Sequence, residues 1–275
     1  MIRLTFLQEP RAVLRDDLQR LRGDLHTPPR ASIVVPVNAQ KDLLGVSTLA
    51  SDIAAYRGGQ PIEIILVVNN YPANNPPKEI GKYRRLGFNV LGVPKVKHKG
   101  GVAIAARIPG IKVAQSEIIL LFDADCRIQN PTALLDWYIN QLDSGVDLAY
   151  THVDYFDLPV GLAVKTRMFI HHVSRWYKRV LLGIPTSRGS NYAIRRKLIL
   201  ELFAQERVHY DIHVGPMVKS ISGEIAYSGA EEHVVFTSGR FFSNSWKELF
   251  SYLIWRIGYY LRIRPTKPAT PYVDQ

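Results

Sequence analysis

Residues 116–125 read SEIILLFDAD, an apolar run that ends in two carboxylates separated by one alanine. The stretch from 118 to 122 is continuously apolar, and so is the stretch from 64 to 68. Continuous rather than alternating hydrophobicity is typical of a strand that helices cover on both faces. We therefore interpret both stretches as central strands of a sheet buried between two layers of helices.

Further apolar runs recur along the chain and are separated mostly by segments of helical length. This alternation predicts crossover connections and a mostly parallel, doubly wound α/β sheet. In such sheets ligands bind beyond the carboxyl ends of the strands, so we expect the functional site within residues 36–40, 69–71 and 123–127. The predicted strands are 32–37, 62–68, 88–93, 117–122 and 147–153.

The segments at both ends of the chain differ from this α/β pattern. Four leucines between residues 14 and 25 fall on one face of a helix, and two prolines at 28 and 29 end that helix. Near the C-terminus, apolar and aromatic residues recur at helical spacing. The predicted organisation is an N-terminal helical appendage (1–30), an α/β domain (31–242), a C-terminal amphipathic helix (243–264) and an extended tail (265–275).

Composition indicates which cellular compartment and which binding partners are expected. With 275 residues, of which 47% are hydrophobic, the chain can bury a substantial core. Cys126 is the only cysteine, which excludes an intramolecular disulfide and a multi-cysteine zinc site and favours a reducing compartment. The formal net charge of +11 favours a phosphate-bearing partner or an anionic surface.

Targeting and membrane-spanning signals are not expected. Charges at Arg3, Glu9 and Arg11 leave no apolar segment for a secretory signal. The best apolar candidate, residues 249–255, is seven residues long, whereas a membrane span needs about eighteen or more. We therefore expect a cytoplasmic protein that does not span a bilayer.

Asp123 and Asp125 are candidate metal ligands. Each follows a strand too apolar to be exposed, so the two carboxylates are expected at the mouth of the sheet. Mg²⁺ and Mn²⁺ prefer oxygen ligands and leave coordination positions for phosphate oxygens. For an isolated Asp-x-Asp, the alternative of a polar loop near a helix cap is favoured, so the motif gains specificity only from its context.

The sequence around the Asp-x-Asp motif resembles the family-2 glycosyltransferases of the GT-A fold. Several separated segments are similar to that family in the expected order, and together they extend over residues 31–242. The resemblance divides this domain into a donor and metal half (31–127) and an acceptor half (128–242). The segments that carry it are 32–38, 62–70, 101–114, 116–125, 189–196 and 237–240.

The resemblance implies a hexosyltransferase-like enzyme that uses a nucleotide-diphosphate-sugar, such as a UDP- or GDP-sugar, with Mn²⁺ or Mg²⁺. It implies that Asp125 binds the metal directly, that Asp123 contacts the ribose or the metal, and that a late histidine, His233, completes the metal site. A purely structural His233 is the alternative. The implied donor-binding residues are Pro36, Val37, Asn38, Asn69, Asn70, Lys99, Arg107, Asp123, Ala124 and Asp125.

On the acceptor side, the resemblance implies that Gly189, Ser190 and Asn191 form the acceptor turn. It also implies an inverting transfer in which Asp211 is the general base. The alternative for Asp211 is the N-cap of a helix near residue 213, and the alternative for Arg107 is an ordinary surface arginine.

The chain departs from the family at two points. The sequence has Asn69-Asn70 where acidic residues are usual, and Tyr210-Asp211 where a Glu-Asp pair is usual.

The charge distribution predicts contact with an anionic membrane. Residues 158–200 contain no acidic residue and nine lysines or arginines. The C-terminal helix combines aromatic and basic residues, as interfacial helices do, although it could instead pack on the domain. We therefore predict peripheral attachment at the inner face of a membrane as one possibility, with a lipid, a lipid-linked glycan, another glycan or a small anionic molecule as the acceptor.

Other classes stay open at this point. A catalytically silent domain could bind nucleotide-sugar or act as a scaffold, and a retaining transferase could use a small anionic acceptor. A nucleotidyltransferase normally has a glycine-rich basic loop after its first strand, whereas residues 37–40 read VNAQ. No nucleic-acid-binding motif accompanies the basic charge, so no nucleic-acid partner is predicted.

Overall fold

The computed structural model describes residues 12–24, 27–43, 45–94, 101–208, 210–239, 242 and 244–260. For residues 101–105 and 255–260 the backbone is described without the side chains. The predicted donor residue Lys99 and the predicted tail over 265–275 lie outside the described residues.

Strands and helices alternate along the first part of the chain, as the sequence predicted, and each predicted strand lies within two residues of its predicted ends. The strands are β1 (Ala31–Asn38), β2 (Ile62–Asn69), β3 (Asn89–Val93), β4 (Ile118–Leu121), β5 (Arg127–Ile128), β6 (Leu148–Thr151), β7 (Val153–Tyr155), β8 (Tyr192–Arg195), β9 (Ile225–Ser228) and β10 (Val235–Thr237). The α-helices are α1 (Arg15–Arg22), α2 (Gly45–Ala54), α3 (Lys78–Leu86), α4 (Gly101–Val113), α5 (Pro131–Asp143), α6 (Leu162–Val180), α7 (Arg196–Ala204), α8 (Val214–Ser220) and α9 (Trp246–Tyr260), and short 3-10 turns cover Asp211–His213 and Glu231–His233.

Seven strands form the main sheet in the order β3-β2-β1-β4-β8-β6-β9. Strands β1, β2, β3 and β4 pair in parallel, whereas β8 runs antiparallel to both of its neighbours, β4 and β6. The mostly parallel α/β sheet is therefore confirmed, with β8 as an antiparallel insertion. A smaller sheet has the order β5-β10-β7.

Both faces of the central strands of the main sheet are buried. Ile33 and Val35 of β1 belong to one apolar cluster, and Val34 between them belongs to another. The first cluster includes residues of α2, α3 and α5, and the second includes residues of α4, α7 and α8. Because each face has its own helical layer, the central strands are continuously apolar in sequence.

Helix α1 belongs to this core. Leu18 and Leu21 are buried in the first cluster. The Arg20 guanidinium donates to the carbonyl oxygen of Tyr56 at 2.8 Å and to that of Ala54 at 2.5 Å, which ties α1 to the end of α2. The predicted N-terminal helix therefore packs directly against the α/β layers.

Helix α4 approaches the sheet closely. A Cβ atom at Gly110 would lie 2.6 Å from Cγ1 of Val34 and 2.7 Å from Cγ2 of Val67. Because only glycine fits between these side chains, the α4 backbone comes close to β1 and β2. This close packing brings Arg107, one turn earlier on α4, beneath the carboxyl ends of the strands.

The described residues divide into two compact units. The first combines the described residues up to Asp154 with Pro185–Thr237, and the second combines Tyr155–Ile184 with the described residues from Ser238 onward. Helices α6 and α9 both belong to the second unit, and the domain boundaries predicted from the sequence remain a prediction. Within the second unit, the Arg167 guanidinium lies 5.0 Å from the Tyr252 ring centre, and His171 Nδ1 lies 3.3 Å from the Tyr252 hydroxyl.

Candidate active site

Asp123 and Asp125 project from the turn that follows β4. Phe122, Ala124 and Cys126 are buried, whereas Asp123 and Asp125 are partly exposed. The apolar residues of the turn therefore join the core, and its two carboxylates reach the solvent beyond the sheet.

Contacts on both sides hold this turn in place. The Thr237 hydroxyl donates to Asp125 Oδ1 at 3.3 Å. After the turn, Arg127 Nε donates to Asp52 Oδ2 of α2 at 2.9 Å. A Cβ atom at Gly45, the first residue of α2, would lie 2.9 Å from the carbonyl oxygen of Ala124. The start of α2 and the end of β10 therefore fix the backbone that carries the carboxylates.

Arg107 lies between Asp123 and Asp211 and has no solvent exposure. Its Nη2 donates to Asp123 Oδ1 at 2.5 Å and to the carbonyl oxygen of Gly189 at 2.9 Å, and its Nη1 forms an ion pair with Asp211 Oδ2. The alternative of an ordinary surface arginine is therefore wrong. Arg107 connects the Asp123-Ala124-Asp125 turn to Asp211, which is 104 residues away from Arg107 in the sequence.

The electrostatics of this cluster follow from burial and from the excess of carboxylates. Burial lowers the pKa of Arg107, but Asp211 and Asp123 outweigh this effect, so its pKa is raised and the guanidinium stays charged. Burial raises the pKa of Asp123, Arg107 opposes the shift, and Asp211 and Asp42 reinforce it. Since the Asp123 side chain is 39% exposed, water offsets part of the desolvation cost of the ionised carboxylate. A bound cation would favour the ionised form further.

Asp211 opens the 3-10 turn Asp211–His213 and keeps only 16% of its side chain exposed. Its Oδ2 contacts Arg107, and its Oδ1 accepts a hydrogen bond from the Tyr192 hydroxyl at 3.2 Å. The N-cap residues of the turn and of α8, Tyr210 and His213, make no side-chain cap hydrogen bond. Asp211 therefore contacts Arg107 and Tyr192 of the buried cluster. These contacts do not fit the predicted alternative, in which Asp211 caps a helix.

The three asparagines at the ends of β1 and β2 occupy different environments. Asn70 Nδ2 donates to Asn38 Oδ1 at 3.2 Å, and the left-handed backbone of Asn70, with φ of 61°, turns the chain sharply after β2. Asn69 is buried, and its Oδ1 has no hydrogen-bond partner among the described residues. An unpaired buried acceptor is costly, so a ligand that donates to it would be favoured.

The predicted acceptor turn has a fully buried asparagine. The Asn191 side chain donates to the carbonyl oxygen of Thr151, and its Oδ1 accepts from the Arg188 amide at 2.8 Å. Ser190 is also buried. The amide of Asn191 is therefore occupied in holding the turn, and acceptor contact by Gly189, Ser190 and Asn191 remains a prediction.

His233 contacts Ser228 and Trp137. Its Nδ1 lies 2.7 Å from the Ser228 hydroxyl, and its ring lies 5.2 Å from the Trp137 ring. Burial lowers the pKa of His233, while Glu232 raises it. These contacts agree with the alternative of a structural histidine, and the role of His233 as a metal ligand remains a prediction.

Asp42 and Tyr192 are site residues that the sequence interpretation missed. Asp42 Oδ2 accepts from the Asn38 amide at 3.3 Å, and its charge contributes to the raised pKa of Asp123. It lies two residues beyond the predicted segment 36–40, so a longer window after the first strand would have included it. Tyr192 begins β8, and its contact with Asp211 had no local signal.

The carboxylates suit a divalent cation that takes other ligands from a substrate. Among the described residues, no three or more His, Cys, Asp or Glu side chains are arranged to hold a metal by themselves. Within the described ranges, the Arg107 guanidinium pairs with Asp123 and Asp211, and the charges of Asp211 and Asp42 both act on Asp123. Two partly exposed carboxylates with surplus negative charge fit Mg²⁺ or Mn²⁺ that is completed by water and by diphosphate oxygens.

Gly189→Ala is expected to destabilise the protein by about 1–3 kcal/mol, the usual range for overpacking a buried site. A Cβ atom at Gly189 would lie 2.7 Å from Arg107 Nη1 and 2.8 Å from its Cζ, and the paired guanidinium cannot move without losing its carboxylates. Urea unfolding would measure the loss. Gly81→Ala, where an added Cβ meets only Arg85 Nη1 at an ordinary 3.5 Å, is the control without overpacking and should not destabilise the protein.

The fold agrees with comparisons to known proteins. No family model and no curated protein matches the sequence. Among solved structures, the chain has the fold of GT-A glycosyltransferases. The mannosyltransferase PcManGT from Pyrobaculum calidifontis, in complex with GDP-Man and Mn²⁺, matches with a TM-score of 0.53 and 14% identity over 89% of this chain and 67% of that chain.

A second similar structure is TarS from S. aureus, with a TM-score of 0.50 and 15% identity over 87% of this chain and 41% of that chain. This chain therefore spans about two fifths of TarS. Structural similarity at such low identities establishes the GT-A fold alone. The assignment to family 2 remains a prediction.

Proposed function

We propose that this protein is a metal-dependent glycosyltransferase that moves a sugar from a nucleotide-diphosphate-sugar to an acceptor hydroxyl. The observation that carries the proposal is the Arg107 cluster, which connects the Asp123-Ala124-Asp125 turn to Asp211 at the carboxyl end of the central strands. The GT-A fold supports it, and the complex of PcManGT with GDP-Man and Mn²⁺ is a precedent for this ligand pair in a similar structure.

In this proposal, the donor diphosphate lies beside the carboxylate turn. Asp125 holds the cation, and Asp123 holds the cation or the ribose. When bound, Mn²⁺ or Mg²⁺ neutralises the negative charge that develops on the leaving diphosphate. Asn38 and Asn70 form one edge of the nucleoside site, since an amide can both donate to and accept from a base.

Asp211 is the proposed general base of an inverting transfer. A carboxylate has about four lone-pair positions, and hydrogen bonds from Arg107 and Tyr192 occupy two of those on Asp211. The remaining capacity suits an acceptor hydroxyl, whose proton Asp211 accepts as the hydroxyl oxygen attacks the anomeric carbon. Arg107 is a positioning residue that keeps Asp211 at a fixed distance from the carboxylate turn.

The buried pairing of Asp211 also favours a second candidate function. A carboxylate held by Arg107 and Tyr192 could be structural, which would make the protein a nucleotide-sugar-binding domain without transfer. A panel of nucleotide-sugars with Mn²⁺ or Mg²⁺, assayed for thermal stabilisation and for release of nucleoside diphosphate, separates the two. Stabilisation without release would identify the binding domain.

Asp125→Ala is expected to weaken Mn²⁺-dependent binding of UDP or GDP at least about tenfold. The substitution removes the proposed direct ligand from a turn whose backbone is held independently by α2. Isothermal titration calorimetry with and without a chelator would measure the change. Asp16→Ala is the control, because it removes an exposed carboxylate from α1, away from the sheet mouth. Affinity that stays the same in Asp125→Ala would contradict the metal role.

A further inference from the structure

Helix α6 of the second unit is apolar on two opposite sides. One side is buried and includes Ala163, Val164 and Met168. The other side carries five large apolar residues that are between 46% and 69% exposed. At 3.6 residues per turn these five fall within an arc of about 60°, opposite the buried side. They form what we call the α6 stripe: Leu162, Phe169, Val173, Trp176 and Val180.

Helix α9, in the same unit, also exposes apolar residues along one side. Trp246, Phe250 and Ile254 are spaced four residues apart and are between 50% and 59% exposed. Scattered exposed apolar residues are normal, but five large apolar side chains along one side of α6 mark an interaction surface. Arg167 and His171, which contact Tyr252 of α9, lie on the opposite side of α6, so the α6 stripe is not the side that packs on α9. The exposed row of α9 likewise lies opposite Tyr252, so it faces away from α6 and is not part of the same surface.

The basic residues of the second unit indicate which partner this surface binds. Helix α6 contains five lysines or arginines and no acidic residue; the exposed Lys165 borders the α6 stripe, and the other four lie toward the opposite half of the helix. In sequence, the second unit contains eleven lysines or arginines against three acidic residues, so bringing two copies of it together would be unfavourable. An anionic lipid surface instead complements the basic residues and accepts the apolar ones.

We propose that the α6 stripe is the surface by which the protein docks on an anionic lipid bilayer. Phe169, Val173 and Trp176 enter the boundary between headgroups and acyl chains, while Lys165 at the edge of the stripe contacts lipid phosphates. Trp176 suits this position, because an indole combines a large apolar surface with a polar N–H group. Within the described residues, no helix combines the length and hydrophobicity needed to cross a bilayer. The inference concerns the second unit alone and does not rest on the proposed glycosyl transfer.

Vesicle cosedimentation of the full chain tests the proposal. We expect binding to phosphatidylcholine vesicles that contain phosphatidylglycerol, little binding to pure phosphatidylcholine vesicles, and weaker binding at high salt. The double variant Val173→Glu/Val180→Glu should bind anionic vesicles at least about tenfold more weakly. Phe169→Ser/Trp176→Ser should also weaken binding, and it separates the apolar contribution from the added charge.

The matched control is Val113→Glu/Ile221→Glu. Both residues are 43% exposed valine or isoleucine side chains outside the second unit, and the change in net charge equals that of the test variant. We expect this control to bind as the wild type does. Circular dichroism and thermal unfolding would establish that each variant is folded before its binding is compared.

Three results would overturn the proposal. The first is the absence of binding to anionic vesicles, or equal binding to neutral ones. The second is equal loss of binding in test and control variants, which would assign binding to net charge alone. The third is a concentration-dependent dimer, seen by sedimentation velocity, that Val173→Glu/Val180→Glu dissociates, since the stripe would then be covered by a second copy of the chain.

Discussion

Asp211→Asn is expected to slow nucleoside diphosphate release from the sugar donor at least about a hundredfold, the lower end for loss of a general base. Asparagine preserves the shape of the side chain and can still accept a hydrogen bond from Arg107, but it cannot take a proton from an attacking hydroxyl or water. Donor affinity, measured by calorimetry with Mn²⁺, should stay within about twofold of the wild type, because Asp211 is not a proposed metal ligand.

The control for Asp211→Asn is Asp147→Asn. Asp147 also pairs with an arginine, Arg195 Nε at 3.4 Å, and accepts from the Glu224 amide at 3.0 Å, but it lies before β6 rather than at the carboxyl end of the central strands. Its variant should retain the turnover of the wild type. If Asp211→Asn loses donor affinity and turnover to the same extent, or loses neither, Asp211 is a structural residue and the general base is elsewhere.

The central strands could be predicted because burial on both faces leaves a local signature. The runs at 64–68 and 118–122 are apolar without interruption, and the two helical layers over β2 and β4 account for that pattern. The position of Asp123 and Asp125 could be predicted because both residues come just after strand β4. The antiparallel direction of β8 left no such signature, since a strand has the same apolar pattern whichever way it runs.

The contacts within the site could be predicted less well than its residues. Arg107 was named as a candidate, yet its partner Asp211 is 104 residues away, and no local pattern encodes such a pairing. Asn191 was expected to face a ligand, whereas its amide is bonded to the backbone of Thr151 and Arg188. Sequence identifies a polar residue at a turn, but only the packed structure determines whether its hydrogen-bonding groups are already used.

The division into two compact units could not be predicted from the sequence for a similar reason. The predicted α/β domain, set by the extent of the family resemblance, covers residues 31–242 and so includes α6, which lies in the second unit. The two apolar sides of this helix have different roles, however, since one packs within the second unit and the other remains exposed. Apolar spacing in the sequence identifies the apolar side of a helix, but it does not determine whether that side is buried or exposed.

Arg107→Met is expected to destabilise the protein by about 3–5 kcal/mol, the range for removing one partner from a buried ion pair. Methionine roughly retains the unbranched volume of arginine, so the loss reports the charge and its hydrogen bonds more than a cavity. The Asp211 carboxylate, 16% exposed, would lose its buried cation, and the Gly189 carbonyl oxygen would lose a donor. Urea unfolding followed by circular dichroism would measure the free energy of unfolding.

Arg195→Met provides the matched control for this substitution. Arg195 also pairs with an aspartate, but its side chain is 38% exposed, and such pairs contribute about 0–1 kcal/mol. In the double variant Arg107→Met/Asp211→Asn, the uncompensated charge at 211 is absent, so we expect part of the lost stability to return. A loss below about 1 kcal/mol in Arg107→Met would mean that the cluster does not stabilise the fold. No recovery in the double variant would mean that Asp211 is not the carboxylate that Arg107 neutralises, and the link between the metal half and the base would then be wrong.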